Sequence, residues 1–129
     1  MFRNLVIAFT LAAAALAAAP AHAQQLVESY IARLSERDHF NSNGQRLTSA
    51  AAIIRQDRAN YFRFGRGDAE DQPDRFFADF NNRATLERML ERCRSSPGAL
   101  AAIVNGTPVV RVSIYRDAGG YYVHVAVLN

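Results

Sequence analysis

The sequence contains one cysteine, no lysine and none of the short motifs that mark common catalytic sites. Because Cys93 is the only cysteine, the chain cannot form an internal disulfide. Cys93 follows Leu86, Met89 and Leu90 at helical spacing, which predicts a buried thiol; a Cys93-linked dimer is the alternative. No GxSxG, HExxH or glycine-rich phosphate sequence is present. We therefore expect no metal site and no cofactor, and we favour a protein that acts by binding over an enzyme.

The chain also lacks an apolar run of the roughly 20 residues that cross a membrane. Its alanine-rich apolar segment, residues 5–19, follows a basic start at Arg3 and precedes the sequence Ala21-His22-Ala23. This pattern is typical of a secretory signal peptide, residues 1–23, cleaved after Ala23; an uncleaved anchor is the alternative. We therefore expect a periplasmic or secreted bacterial protein with no stable membrane insertion after cleavage.

The mature chain has the size and charge of one ordinary domain. Removing residues 1–23 from the 129 leaves 106 residues, 24–129, which usually form a single domain with a modest core. All 15 basic residues are arginine and one leaves with the signal peptide, so 14 basic residues face 12 acidic ones, a net charge of +2. Such a small charge does not indicate a nucleic-acid or membrane-surface partner.

Apolar periodicity predicts an α+β fold with three to four N-terminal helices on one face of a C-terminal three-stranded antiparallel meander. The segments with helical spacing are residues 24–37, 47–62 and 71–94, the last interrupted near Asn81-Asn82. From Ala99 the period becomes two, which predicts strands at residues 99–104, 107–116 and 121–128. Turns at Asn105-Gly106 and Ala118-Gly119 would join these strands.

The predicted turn at Ala118-Gly119 also sets the pairing of the last two strands. It places Ile114 opposite Val123 and Val112 opposite Val125, so that one face of the hairpin is apolar. The other face then carries a candidate binding surface, made of Arg111, Ser113, Tyr115, Tyr122 and His124. Tyr and Arg are enriched where proteins bind partners, whereas a merely solvated sheet face is the alternative.

Two charged residues fall on the apolar side of the second predicted helix. Asp57 and Arg58 lie within the same arc as Leu47, Ala51 and Ile54. Buried charges need partners, because leaving them unpaired would cost several kcal/mol of lost hydration. The sequence therefore predicts a structural ion pair with the 75–83 segment. The candidate residues are Asp57, Arg58, Arg75, Asp79 and Arg83.

An acidic cluster precedes the third predicted helix. Asp68, Glu70, Asp71 and Asp74 could offer oxygen ligands to a hard cation. Their spacing does not match a known calcium loop, and Asp71 is well placed to cap the helix. A solvated helix start explains these acids better than a metal site.

Three functions remain open on the sequence alone. The first is an exported binding protein for an unknown protein or small-molecule ligand. The second is a small hydrolase or isomerase with a pocket between helices and sheet, in which His39 or His124 would lie beside a carboxylate. The third is a self-associating envelope component, for which Cys93-linked dimers would be the sign.

Overall fold

The computed structural model describes residues 24–92 and 95–129, so the predicted signal peptide and Cys93 lie outside the described residues. The strands are β1 (Gln25–Arg33), β2 (Val109–Asp117) and β3 (Gly120–Val127). The helices are α1 (Ala50–Phe62), α2 (Phe80–Arg83), α3 (Leu86–Glu91) and α4 (Pro97–Asn105), and a short 3-10 helix spans Glu36–His39. The mixed α+β class is confirmed. The predicted order, with helices first and strands last, is wrong because β1 precedes every described helix.

The sheet is antiparallel with the order β1-β2-β3, so the central strand is β2. The predicted hairpin register is confirmed, since Ile114 pairs with Val123 and Val112 with Val125. A meander of three consecutive strands is wrong, because the first strand comes from the N-terminal segment and the helices lie between β1 and β2 in the chain.

The helix predicted at residues 24–37 is instead strand β1. Its apolar residues fit helical spacing, yet Tyr30, Ala32 and Leu34 also alternate, and these three are the buried ones. Leu26 and Val27, which a helix would have buried, are exposed. Apolar residues in a short segment can fit both the helical period of 3.6 residues and the strand period of two. Residues 25–33 form a strand because they pair with β2.

The strand predicted at residues 99–104 is instead part of helix α4. The Ser96 side chain accepts a hydrogen bond from the Ala99 backbone at 3.2 Å, and Pro97 occupies the first helical turn. Residues 95–98 are therefore a helix start. The predicted antiparallel pairing of residues 99–104 with 107–116 is wrong, and β1 takes that position, with Ala32 opposite Val110.

The helix predicted from Asp71 does not begin until Phe80. Residues 63–79, between α1 and α2, form a loop that we call the edge loop, and part of it runs along the outer edge of β1. Gln72 donates its backbone N–H to the Ile31 oxygen at 2.8 Å and accepts from the Ile31 N–H through Oε1 at 3.0 Å. Asp71 accepts from the backbone of Arg33 at 2.9 Å instead of capping a helix. The loop thereby covers an otherwise unpaired sheet edge.

The hydrophobic core lies between one face of the sheet and helices α1, α3 and α4. The sheet contributes Tyr30, Ala32, Val110, Val112, Ile114, Val123 and Val125; the helices contribute Ile53, Ile54, Leu86, Met89 and Ile103. The opposite face of the sheet carries no helix among the described residues. Within residues 24–92 and 95–129, no helix is long and apolar enough to span a membrane.

Candidate functional site

Asp57 and Arg58 lie on the buried side of α1 and pair with each other. Arg58 Nε donates to Asp57 Oδ2 at 2.8 Å, and Nη1 donates to Asp74 Oδ1 at 3.1 Å and to the Gln72 oxygen at 2.8 Å. The guanidinium carbon lies 4.1 Å from the Tyr30 ring centroid. Arg58 thus connects α1 to the edge loop and to the sheet, which is the position of a structural clamp.

The other three candidates for this ion pair have different partners. The backbone N–H of Arg75 donates to Glu28, and Asp79 caps α2 by accepting from the Asn81 N–H at 2.7 Å. Arg83 Nη1 donates to the backbone oxygens of Phe77 and Ala78. The second carboxylate that pairs with Arg58 is that of Asp74. Asp74 lies one residue before the 75–83 segment, in which we expected the partner.

Burial dominates the electrostatics of the clamp. It raises the pKa of Asp57 well above its ordinary value and also raises the pKa of Asp74, while the positive charge of Arg58 opposes both shifts. Arg58 is completely buried and remains charged, because a guanidinium keeps its proton in proteins. The two carboxylates and the carbonyl occupy Nε and Nη1, whereas Nη2 is buried without a hydrogen-bond partner among the described residues. Because the whole side chain is buried, it is closed to a ligand arriving from solvent.

The two histidines of the described chain play separate roles. His39 is buried and hydrogen-bonds both ring nitrogens to backbone oxygens, at 2.8 Å to Ser35 and 2.7 Å to Ile103. His124 is exposed and lines a shallow cavity of about 520 Å³ together with Asp117. Asp117 is held by Arg92 at 2.9 Å, a contact that lowers the pKa of its carboxyl. No hydrogen bond joins His124 to Asp117 among the described residues.

The five residues predicted as a binding surface lie on the open face of the sheet, with uneven exposure. Tyr115 and Tyr122 stack with ring centroids 5.3 Å apart, and both line the same shallow cavity as His124. Ser113 is largely covered by its neighbours, whereas Arg111 is exposed and does not line the cavity. The open face therefore carries a stacked pair of tyrosine rings beside the imidazole of His124, and it has no cluster of positively charged side chains.

A different cavity gathers several cations. It has a volume of about 340 Å³ and lies between the outer face of α1, the loop at residues 41–47 and the α2–α3 segment. Three guanidinium groups line it, from Arg55, Arg63 and Arg83, together with the exposed rings of Phe64 and Phe80. We call these five residues the arginine cleft. Arg55 lies within α1 and Arg63 is its C-cap, so the two side chains are about 80° apart around the helix axis and lie on the same broad side of it.

The positive charges of the arginine cleft are not balanced by neighbouring acids. Within residues 24–92 and 95–129, none of the three arginines forms an ion pair with a carboxylate, and Glu87 is the one acidic residue that lines the cavity. Burial lowers the pKa of Arg83, and the charges of Arg55 and Arg63 lower it further. The cleft therefore has a net positive potential that an anion would relieve.

Two of the cleft arginines are held in place by their surroundings. Arg83 Nη1 donates to the Phe77 oxygen at 2.7 Å and to the Ala78 oxygen at 3.2 Å, and its guanidinium lies 5.7 Å from the Phe80 ring centroid. The guanidinium of Arg63 lies 5.1 Å from the Phe64 ring centroid. Arg63 is exposed and can meet a ligand directly, whereas Arg83 is only 6% exposed and offers part of its guanidinium group. The orientation of both groups is already restricted, which reduces the entropy lost on binding.

This cleft was not predicted from the sequence. Arg83 was a candidate for the ion pair, and Arg55, Arg63 and Phe64 were not among the candidate residues. The spacing of Arg55 and Arg63 was a usable signal, but their approach to Arg83 depends on how α2 packs beside α1.

No protein-family model matches the sequence, and comparisons with curated proteins and with solved structures found no significant match.

Proposed function

We propose that this chain is an exported binding protein and that its arginine cleft takes a small ligand with several negative charges, carried by phosphate or carboxylate groups. The observation that supports this function is the convergence of Arg55, Arg63 and Arg83 on one cavity that holds a single carboxylate, Glu87, with none of the three arginines in an ion pair within the described residues. Like charges gathered in this way destabilise the free protein, and an anion removes that repulsion.

The chemistry of the guanidinium group favours this class of ligand. Its planar array of N–H donors matches the two oxygens of a carboxylate or phosphate, and hydrogen bonds between charged partners are about twice as strong as neutral ones. The volume of about 340 Å³ falls within the usual range for small-molecule sites. Phe64 and Phe80, 42% and 58% exposed, offer apolar contact to the rest of the ligand.

The enzyme hypothesis has weaker support from the geometry. His124 and Asp117 share the shallow cavity on the sheet face, but Asp117 is bound to Arg92 and not to the imidazole. His39 has both ring nitrogens occupied by backbone oxygens. Self-association through Cys93 is a separate proposal that concerns a residue outside the described ranges.

Export is the part of the proposal that the N-terminal sequence supports. Cleavage after Ala23 should yield a mature protein that begins at Gln24. We expect N-terminal sequencing of the protein recovered from the periplasm or medium to start at Gln24. A protein that retains Met1 would contradict the cleavage.

Binding to the cleft can be measured by titration calorimetry with two defined probes, inorganic pyrophosphate and citrate. We expect at least one of them to bind the mature protein. The double change Arg55→Gln and Arg63→Gln removes two charged contacts worth about 1.5–3 kcal/mol each, so affinity should fall about 100-fold or more. Both side chains are exposed, and the variant should remain folded.

A matched control is available on the opposite side of the molecule. Arg111→Gln removes the same kind of charge from the open face of the sheet and should change the affinity by less than about twofold. If Arg111→Gln weakens binding while the double variant retains it, the sheet face is the binding site and the arginine cleft is not. If neither probe binds at millimolar concentration, the proposed ligand class is wrong.

A further inference from the structure

Three carboxylates from separate parts of the chain meet beneath the surface, away from the arginine cleft. Asp38 comes from the 3-10 helix, Asp57 from α1 and Asp68 from the edge loop. One carboxylate oxygen from each lies within 4.8 Å of the other two. Asp38 and Asp57 are each 1% exposed, so two of these charges are almost fully removed from water. From this geometry we propose a calcium-binding site formed by Asp38, Asp57 and Asp68.

Unpartnered oxygens provide an independent reason for a ligand here. Asp57 uses Oδ2 to accept from Arg58, whereas its buried Oδ1 has no hydrogen-bond partner among the described residues. Oδ2 of Asp68 is likewise buried and without a partner in the described chain. Buried polar atoms in native proteins are almost always satisfied by protein, water or an ion. Two carboxylate oxygens, which can only accept when ionised, cannot satisfy each other.

The first ligand is held in a defined orientation. Asp38 Oδ1 accepts from the Asn60 side chain at 2.8 Å, and Oδ2 accepts from the Ser35 backbone at 2.9 Å. These neutral donors orient the carboxylate but leave its charge uncompensated. Such outer contacts are what position carboxylate ligands in metal sites.

The excess of negative charge around these carboxylates also favours binding of a cation. Asp57 and Asp74 both pair with the buried guanidinium of Arg58, and Asp38 and Asp68 add two further carboxylates beside Asp57. Arg58 is shared between Asp57 and Asp74, so Asp38 and Asp68 have no ion-pair partner within the described residues. A divalent cation would neutralise most of the remaining negative charge, which a water molecule would not.

Calcium suits this enclosed set of oxygens better than magnesium. Calcium binds oxygen at 2.3–2.6 Å, so two of its ligands can lie up to about 5 Å apart, while magnesium, at 2.0–2.1 Å, limits that separation to about 4.2 Å. All three oxygens lie within 4.8 Å of one another, which is inside the limit for calcium. Magnesium also resists losing its water shell, which disfavours it in an enclosed site.

The test uses the whole mature protein after removal of metals with EDTA. Calcium chloride at 10 mM should raise the midpoint of thermal unfolding by at least about 5 °C, because a ligand that binds only the folded state stabilises it. Magnesium chloride at the same concentration should give a clearly smaller shift. Calorimetric titration with calcium alone should show one bound ion per chain.

Two variants in the edge loop separate the site from a general charge effect. Asp68→Asn should abolish the calcium-dependent shift, and in EDTA its midpoint should equal or exceed that of the wild type because one repelling charge is gone. Glu70→Gln removes the same charge two residues away, from an exposed side chain, and should retain the full shift. The proposal is overturned if calcium leaves the wild-type midpoint unchanged, or if Asp68→Asn shows the same shift as the wild type. If Asp68→Asn does not fold, the calcium titration of the wild-type protein tests the proposal, and absence of calcium binding overturns it.

Discussion

Replacement of Arg58 by Met is expected to destabilise the fold by about 3–5 kcal/mol, the usual result of removing one partner from a buried ion pair. Met has a similar length and can fill much of the space, so the loss reports on charge and hydrogen bonds more than on a cavity. The change leaves Asp57 and Asp74 buried without their cation. It also removes the donor to the Gln72 oxygen that helps hold the edge loop.

Urea unfolding at neutral pH measures this loss directly, since the free energy of unfolding extrapolates linearly to zero denaturant. Arg55→Met is the matched control, because it makes the same change three residues earlier on the exposed face of α1. An exposed substitution of this kind should alter stability by less than about 0.5 kcal/mol. Equal effects of the two changes would show that the buried clamp does not stabilise the fold.

Replacement of Phe77 by Ala is expected to have an effect of similar size, about 3–5 kcal/mol, for a different physical reason. Phe77 is completely buried and packs edge-on against Tyr30 and Phe76, with ring centroids 6.2 and 5.1 Å away. Truncation removes apolar burial and leaves a cavity in the core. Because the Phe77 oxygen also accepts from Arg83, loosening this loop should weaken anion binding as well.

Replacement of Phe80, three residues after Phe77, by Ala is expected to have the opposite pattern of effects. Phe80 is 58% exposed, so its truncation should change the free energy of unfolding by less than about 1 kcal/mol. It borders the arginine cleft and lies against Arg83, so it should still reduce the affinity for an anionic probe. A Phe80→Ala protein that binds as tightly as the wild type would show that the aromatic side of the cleft makes no contact with the ligand.

The contrast between Phe77 and Phe80 illustrates how residues close in sequence divide between core and site. In the helix predicted from residue 71, both would lie on one apolar face. The chain does not form that helix, because residues 71–79 are held as a loop by the edge of β1. Hydrogen bonds from Gln72 and Asp71 to β1 outweigh a helical preference that, in a short segment, is worth only tenths of a kcal/mol per residue.

Features that depend on neighbours along the chain could be predicted from the sequence. Helix α1 has its N-cap at Ser49 and a buried apolar stripe, and the β2–β3 hairpin has a two-residue turn and a strict alternation. Such features are local, because caps, turns and periodicity act over a few residues. The charges of Asp57 and Arg58 within an apolar stripe also indicated a buried clamp before any partner was known.

The other elements and both side-chain clusters depend on packing between distant parts of the chain. Local sequence is compatible with either a helix or a strand at residues 24–37 and 97–105. Only one strand can pair with the free edge of β2, and β1 takes that position. Residues 97–105 therefore form helix α4. The arginine cleft and the carboxylate cluster are likewise products of packing. Arg55 and Arg83 are 28 residues apart in the chain, and Asp38 and Asp68 are 30 apart. No sequence spacing encodes such an approach, because the folding of the intervening chain sets these distances.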